Sequence, residues 1–190
     1  MKKLLLIVLL FILSCGQIPE TRYFTIDYDY TMTGSTGSKG VLFIKKFTSD
    51  PIYFQDKLIY KTSRYEIKFD NYRRWVLAPS EMLKYKVTEH LRQSGLFDWV
   101  TMVTPREQEY LALSGTLKNF EELVENEKRM VKVTIFFQLQ KHQDDKFIWS
   151  KEISSTVPIN NFGVEGIIQS MSMATQQVFD KLAEHLSNLD

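Results

Sequence analysis

Three histidines, one cysteine and a few paired carboxylates are the residues of this 190-residue chain whose types could do chemistry. A metal-dependent hydrolase holds its ion with histidines one helical turn apart, as in HxxxH or HExxH, so that both rings reach one face of a helix. His90, His142 and His185 lack that spacing and read as surface or helix-flank histidines. Asp27/Asp29, Glu121/Glu122 and Asp144/Asp145 read as solvated charge on strand faces or turns. Glycoside hydrolysis needs two carboxyls facing each other across a cleft, and nothing in these spacings creates one. Asp56 reads as a turn or capping acceptor. The glycine-rich stretch over residues 31–40 is no phosphate loop, because the fifth residue after Gly34 is Lys39 and a strand follows instead of a helix N-terminus. No nucleophile, base and orienting group are placed to meet. The expectation is a protein that is not an enzyme and carries no cofactor or metal.

The cysteine stands apart from these. Met1-Lys2-Lys3 precede ten unbroken apolar residues from Leu4 to Leu13, then Ser14-Cys15-Gly16. A basic start, a short apolar run and a small residue at the scission point are the parts of a secretory signal peptide. Ten residues make a helix of only ~15 Å, half of the ~30 Å of a bilayer core, so the run is not a lasting membrane span. Ile12-Leu13-Ser14-Cys15 resembles the bacterial lipobox. That resemblance implies cleavage between Ser14 and Cys15, diacylglycerol on the Cys15 sulfur, and a fatty acyl group such as palmitate on the freed amine. Residues 1–14 are then a leader, 15–22 a lipidated cysteine with a short tether, and 23–190 a single domain. Losing Lys2 and Lys3 takes the formal charge from +1 to −1, which gives no electrostatic case for nucleic acid or for a polybasic membrane patch. With Cys15 acylated no thiol is left for a disulfide, so the core must hold the domain together. Apolar content of 44% with 13% aromatics suits that. The seven residues from Gly16 to Arg22 reach at most about 25 Å, so the domain hangs close to its membrane.

The elements that would position these residues follow from periodicity. Residues 23–30 (YFTIDYDY) alternate as a half-buried strand. A second strand covers 41–47. Residues 58–60 and 65–69 make a hairpin through Lys61-Thr62-Ser63-Arg64, with Tyr65, Ile67 and Phe69 on one face. Pro79 stops the next segment and Ser80 caps a helix over 80–94, with Leu83, Val87, His90 and Leu91 in its apolar stripe and Gly95 ending it. Strands follow at 99–103, 110–120 and 130–140. In the last, Val131, Val133, Ile135, Phe137 and Leu139 share one face, and Phe136 is the exception on a polar one, suited to a protein contact or a second small core. A turn at 143–146 leads to a strand over 147–157. Asn160 or Asn161 caps a final helix over 163–189, with a broad stripe from Val164 to Leu186. The expected sheet has about five to seven strands, with two main helices.

The aromatics Tyr60, Tyr65, Trp75, Phe97 and Trp99 fit core and hairpin packing, with a lipid groove as the rival use. Their order carries a resemblance. Phe54-x-Asp56, Leu58-Ile59-Tyr60, Tyr65, Trp75 within residues 71–79, Pro79, and a helix running into Ser94-Gly95-Leu96-Phe97 resemble the ABC-type transport auxiliary lipoproteins. These serve systems built around MCE-domain lipid-transport proteins. Val76-Leu77-Ala78-Pro79 stands where that family more usually has an acidic-proline pattern. The resemblance implies an α/β domain with a mixed sheet, similar to anticodon-binding and TolB amino-terminal domains, with two-layer α+β as the alternative. It further implies docking on an MCE-domain partner, a homo-oligomeric cap, and a part in moving phospholipid or another hydrophobic solute. Asp56, Tyr60, Tyr65, Trp75, Pro79 and Phe97 are its structural motif residues. Gly16 after the cysteine resembles the signal for outer-membrane sorting in enteric-type bacteria, with inner-membrane anchoring as the alternative. A lipid-carrying lipoprotein with its own cavity and an envelope hydrolase are the rival readings.

Overall fold

The backbone N–H and C=O groups of a long buried strand need partners on both edges, and the centre of this molecule is built on one such strand. The structure, a computed structural model, describes residues 19–30, 39–106, 109–125, 128–142, 146–161 and 163–189. Strand β7 (Tyr110–Glu125) pairs antiparallel along its length with β8 (Lys128–Lys141), which pairs antiparallel with β9 (Phe147–Pro158). The other edge of β7 is shared by three parallel strands in succession. β2 (Val41–Ile44) takes the stretch from Tyr110 to Leu113, β3 (Thr48–Ser49) takes Thr116 and Leu117, and β4 (Lys57–Lys61) takes Glu122 and Leu123. From there the sheet forks. β2 continues into parallel β6 (Trp99–Thr101), and β4 into antiparallel β5 (Ile67–Trp75) and then parallel β1 (Arg22–Phe24). A bulge between Leu117 and Asn119 frees Lys118 to reach Asp50 at 2.8 Å.

The fold is the expected mixed α/β sheet with two helices, here nine strands in one sheet. The strand without a counterpart among the predicted segments is β3, whose two residues are too few to leave a readable period. Val131, Val133, Ile135, Phe137 and Leu139 are all fully buried. Helices α1 (Pro79–Gln93) and α2 (Val164–Ser187) pack against the sheet and each other, and Phe179 of α2 meets Phe137 edge-on at 6.5 Å. α1 begins with Pro79 at its first turn and Ala78 as N-cap, so Ser80 is not the cap. Proline's fixed φ suits that position, and its missing N–H costs nothing there. Gly95, at φ 68°, ends the helix as expected. α2 starts from Gly163, without a side-chain cap from Asn160 or Asn161.

The alternation in residues 23–30 has a different cause from the one expected. β1 ends at Phe24, and residues 25–30 run as an extended strap over the two helices. Ile26 is fully buried while Thr25, Asp27 and Asp29 face out. The Asp27 N–H donates to Ser172 Oγ of α2 (3.1 Å), Lys86 of α1 reaches the Asp27 carboxylate (3.0 Å), and Gln176 donates to the Asp29 carbonyl (3.2 Å). A period of two reports an extended chain with one side buried; it does not say whether a strand or a helix pair lies beneath.

This strap encloses His90, which corrects the surface assignment: the residue is 1% exposed. Its ring meets Tyr30 at 4.7 Å, Phe179 at 5.7 Å and Tyr28 at 6.0 Å, all edge-to-face, with Nδ1 3.3 Å from the Tyr28 hydroxyl. Nε2 lies 3.5 Å from Asp180 Oδ1 without a hydrogen bond. Burial pushes the imidazole down to about 4, so at neutral pH it is uncharged and the Asp180 contact is no ion pair. The Asp180 carboxyl is itself raised by burial.

Two expected outcomes follow from this packing. A Cβ on Gly115 would sit 2.6 Å from the Phe47 ring, which is buried against Phe137 (6.2 Å). Gly115→Ala should therefore cost about 1–3 kcal/mol, read from the urea midpoint. His90 has a folded pKa below the ordinary 6.5, so the unfolded chain takes up the proton first as pH falls. Its contribution is whole above about pH 6.5 and is lost towards pH 4, a swing of roughly 3 kcal/mol; Asp180, raised instead, works weakly the other way. Urea titrations at pH 7 and pH 4.5 should show a smaller loss in His90→Phe than in the wild type.

Candidate functional site

Strand direction gives the molecule two distinct ends. At one lie the β4–β5 turn, the last residue of β9 and the start of α2; Arg22, where the chain enters β1 and meets Glu165 at 3.7 Å, lies about 20 Å short of that turn. At the other lie the starts of β2, β6, β7 and β9 and the last turn of α2. The 16 residues of β7 put about 50 Å between them.

The end remote from Arg22 holds a cleft of about 1140 Å³. Its floor is Val41, Phe97, Leu111, Leu139, Leu186 and Leu189, and Lys39, Glu109, Lys141 and His142 stand at its mouth. Lys39 is fastened to the chain end, its ammonium donating to the Leu189 carbonyl. The His142 ring lies 4.2 Å from that of Tyr110, whose carbonyl accepts the His142 N–H at 2.8 Å. Trp99, Phe147 and Ile148 are half-exposed on this end. An apolar floor under a rim of mixed charge can seat an apolar segment or chain. It has no nucleophile beside a base. Its lining comes from residues far apart in the chain, so no local motif announces it.

The residues singled out from the sequence do not assemble into one site. Ser14 and Cys15 lie outside the described residues, as do Asp144 and Asp145. Asp56 holds Arg74 at 2.9 Å, and its carbonyl accepts the Trp75 N–H. Trp75 is buried against Phe120 (ring centroids 5.0 Å apart), Tyr60 is half-buried, Pro79 opens α1, and Phe97 is in the cleft floor. Tyr65 and Trp99 are not core residues. Tyr65, 90% exposed, stands on the β4–β5 turn, and Trp99 begins the edge strand β6. Phe136 is half-buried opposite Thr116 and Glu152. His142 is exposed, and His185 sits 6.1 Å from Trp149.

Glu121 and Glu122 are the second correction, since they are only 1% and 7% exposed. Successive residues of a strand point to opposite faces, and β7 is covered on both. Glu122 lines a small cavity with Trp75 and with Met171 of α2, and accepts from Arg129 Nε at 2.6 Å. Glu121 faces the other way and accepts from Lys61 (2.8 Å), Asn119 (3.2 Å) and the Tyr53 hydroxyl. Burial, reinforced by that bond to Glu121, pushes the Tyr53 phenol well above its ordinary value. Each of these carboxylates is paired with a cation and braces the sheet. Among the described residues no three His, Cys, Asp or Glu side chains converge as metal ligands, and no helix is long and apolar enough to cross a membrane.

Solved structures place this architecture among known folds. Protein XCC0632 from Xanthomonas campestris, of the DUF330 family, superposes with a TM-score of 0.73 at 15% identity, over 85% of this chain and 92% of that one. A crystal structure of an uncharacterised protein gives 0.70 at 13% identity, over 88% and 99%. The PelC dodecamer from Paraburkholderia phytofirmans gives 0.50 at 13% identity, over 82% and 91%. At these identities the likeness is one of fold. No curated protein sequence matches the chain. The sequence profile described as the ABC-type transport auxiliary lipoprotein component does match, over residues 33–183. The tyrosine hairpin, the tryptophan segment and the helix after it fall inside that range, and the chain belongs to the ABC-type transport auxiliary lipoprotein family.

Proposed function

We propose that this protein is a docking subunit of an ABC transport system that moves phospholipid or another hydrophobic solute between membranes, held to the outer membrane by acyl chains on Cys15. The observation that carries this reading is the opposition of its two ends. Arg22, where the tether joins, lies towards one of them, while the cleft with exposed Trp99, Phe147 and Ile148 lies at the other. The family is described as a transport auxiliary lipoprotein, and the described residues offer no catalytic constellation that would argue for an enzyme.

The mechanism is positional. More than one acyl chain makes an anchor durable, since each buried methylene contributes ~0.8 kcal/mol. The domain then presents its far end some tens of ångströms from the bilayer, and an MCE-domain partner reaching across the periplasm meets it there. Among the described residues no strand pairs with the outer edge of β9, where Lys181 and Ser170 of α2 donate to the Ser154 and Pro158 carbonyls; the rest of that edge is suited to pairing with another chain. The dodecameric state of PelC supports assembly of several copies around the partner. A second reading has the cleft itself carry a lipid or solute. Its volume and apolar floor favour that use, and native mass spectrometry of the delipidated domain separates the two, because a carrier co-purifies with lipid.

Cys15→Ala should give a folded, soluble domain that no longer supports transport, checked by envelope fractionation and lipid transfer between membranes; a variant that stays membrane-bound and active contradicts the anchor. Phe147→Glu combined with Ile148→Glu should leave the melting temperature unchanged while reducing capture of the MCE-domain partner by about tenfold or more, the scale of losing an interface anchor. Undiminished capture moves the docking site elsewhere.

A further inference from the structure

We propose that the β4–β5 turn is a second membrane contact, seating Tyr65 at the lipid–water interface of the bilayer that holds Cys15. The inference rests on the anchoring of Cys15 proposed above. The turn is built to present one side chain. Ser63 Oγ accepts the N–H groups of Tyr65 (3.2 Å) and Glu66 (3.1 Å), the Thr62 N–H donates to the Glu66 carbonyl (3.3 Å), and the Thr62 hydroxyl bonds the Glu66 carboxylate. The tyrosine ring that results is 90% exposed, with Ile67 partly exposed beside it. Arg64 and Lys68 flank the pair, both open to solvent, Lys68 being paired with Glu66 at 3.2 Å.

A single exposed aromatic is ordinary on a protein surface; its place relative to the tether is what gives this one meaning. β5 runs away from the turn, and β1 lies parallel to it with Arg22 beside Arg73. The chain therefore arrives at Arg22 from the side of the turn. From Ile67 to Arg73 is six residues, so the turn projects about 20 Å beyond Arg22 in that direction. From Cys15 to Arg22 is seven residues, with a reach of at most about 25 Å. The two lengths nearly match. When the acyl chains of Cys15 are in a bilayer, Arg22 is held within reach of its surface and the turn spans most of the same gap.

The chemistry of the turn fits that surface. Tyrosine is amphipathic and settles at the headgroup level, and arginine and lysine beside it keep their charge in water while meeting anionic headgroups. Acyl chains alone would leave the domain free to swivel on its tether. A rigid second contact fixes its direction, with the cleft pointing away from the membrane.

The test uses the full acylated chain. Cys15 is the sole cysteine and is blocked by acylation, so Tyr65→Cys introduces one free thiol for a nitroxide label, and Phe147→Cys does the same at the far end. In vesicles of phosphatidylethanolamine with a minority of phosphatidylglycerol, the label at position 65 should lose most of its collisions with a water-soluble nickel chelate and gain collisions with oxygen. The label at position 147 should stay aqueous. A label at Ile67→Cys, which keeps the tyrosine, should behave like that at 65 and return to the aqueous reading when Tyr65→Asp is added. Three results overturn the proposal. Chain that floats with vesicles while both ends stay equally open to nickel leaves the anchor standing and removes the second contact. Shielding of position 65 from both nickel and oxygen marks a protein contact instead. Chain that neither floats nor takes up labelled palmitate removes the anchor, and the second contact with it.

Discussion

Strand β7 has two edges to satisfy and divides them unequally. One is matched by β8 over nearly its whole length, and the other is completed piecemeal by β2, β3 and β4. A buried strand edge with open N–H and C=O groups costs as much as a set of broken hydrogen bonds. The segment from residue 41 to 61 therefore has to run alongside β7, touching it three times. Between those contacts it turns through Pro51–Tyr53, which carries Tyr53 to Glu121. The fork of the sheet and the burial of Glu121 both come from this arrangement. So does the fit of Phe47 over Gly115, where a side chain would collide.

The same constraint explains how two adjacent glutamates can be buried in the middle of a β-strand. A lone buried carboxylate would be costly, and each of these has a cation at hydrogen-bond distance. The cations come from different strands, Lys61 from β4 and Arg129 from β8, so the ion pairs lie across both edges of β7. Hydrophobic pairs in their place would be as stable or more so. The charges add register, because a one-residue slip of β4 or β8 would leave a buried carboxylate facing an apolar side chain.

Long elements were legible in the sequence because their periods repeat enough times to be counted. β8 and both helical stripes were read nearly to the residue, and the tyrosine hairpin and tryptophan segment carried the family. What was missed depends on neighbours that no local pattern names. Residues 23–30 alternate correctly, yet their buried side faces α1 and α2 where a neighbouring strand was expected. His90 was in the apolar stripe of α1, which was signal enough for burial, but its polarity argued for the surface. The Glu121/Glu122 pair read as solvated because a doubly covered strand looks locally like any other. Tyr65 had the alternation of a packed strand residue but sits one step before the pairing begins. The cleft draws on β2, β7, β8 and the end of α2, and its outline exists only after folding.

Polarity is the last consequence of the forked sheet. β4 and β5 are antiparallel, so the turn between them projects at the end where β7 finishes. β1 can add only to the outer edge of β5, and it does so in parallel, which aims the chain before Arg22 towards that same end. β2 and β6 instead add where β7 begins, and their starts, with the last turn of α2, frame the cleft. Had β1 joined β5 antiparallel, the tether would leave towards the cleft and bring it against the anchoring membrane. One strand direction thus aims the chain before Arg22 away from the cleft, and it is set by hydrogen bonds in a three-residue strand. The strap at residues 25–30 holds that short strand in place, since Ile26 and the ring of Tyr28 are packed against the helices and cannot slide without exposing them. The buried His90 beneath the strap therefore supports the direction in which the chain enters β1.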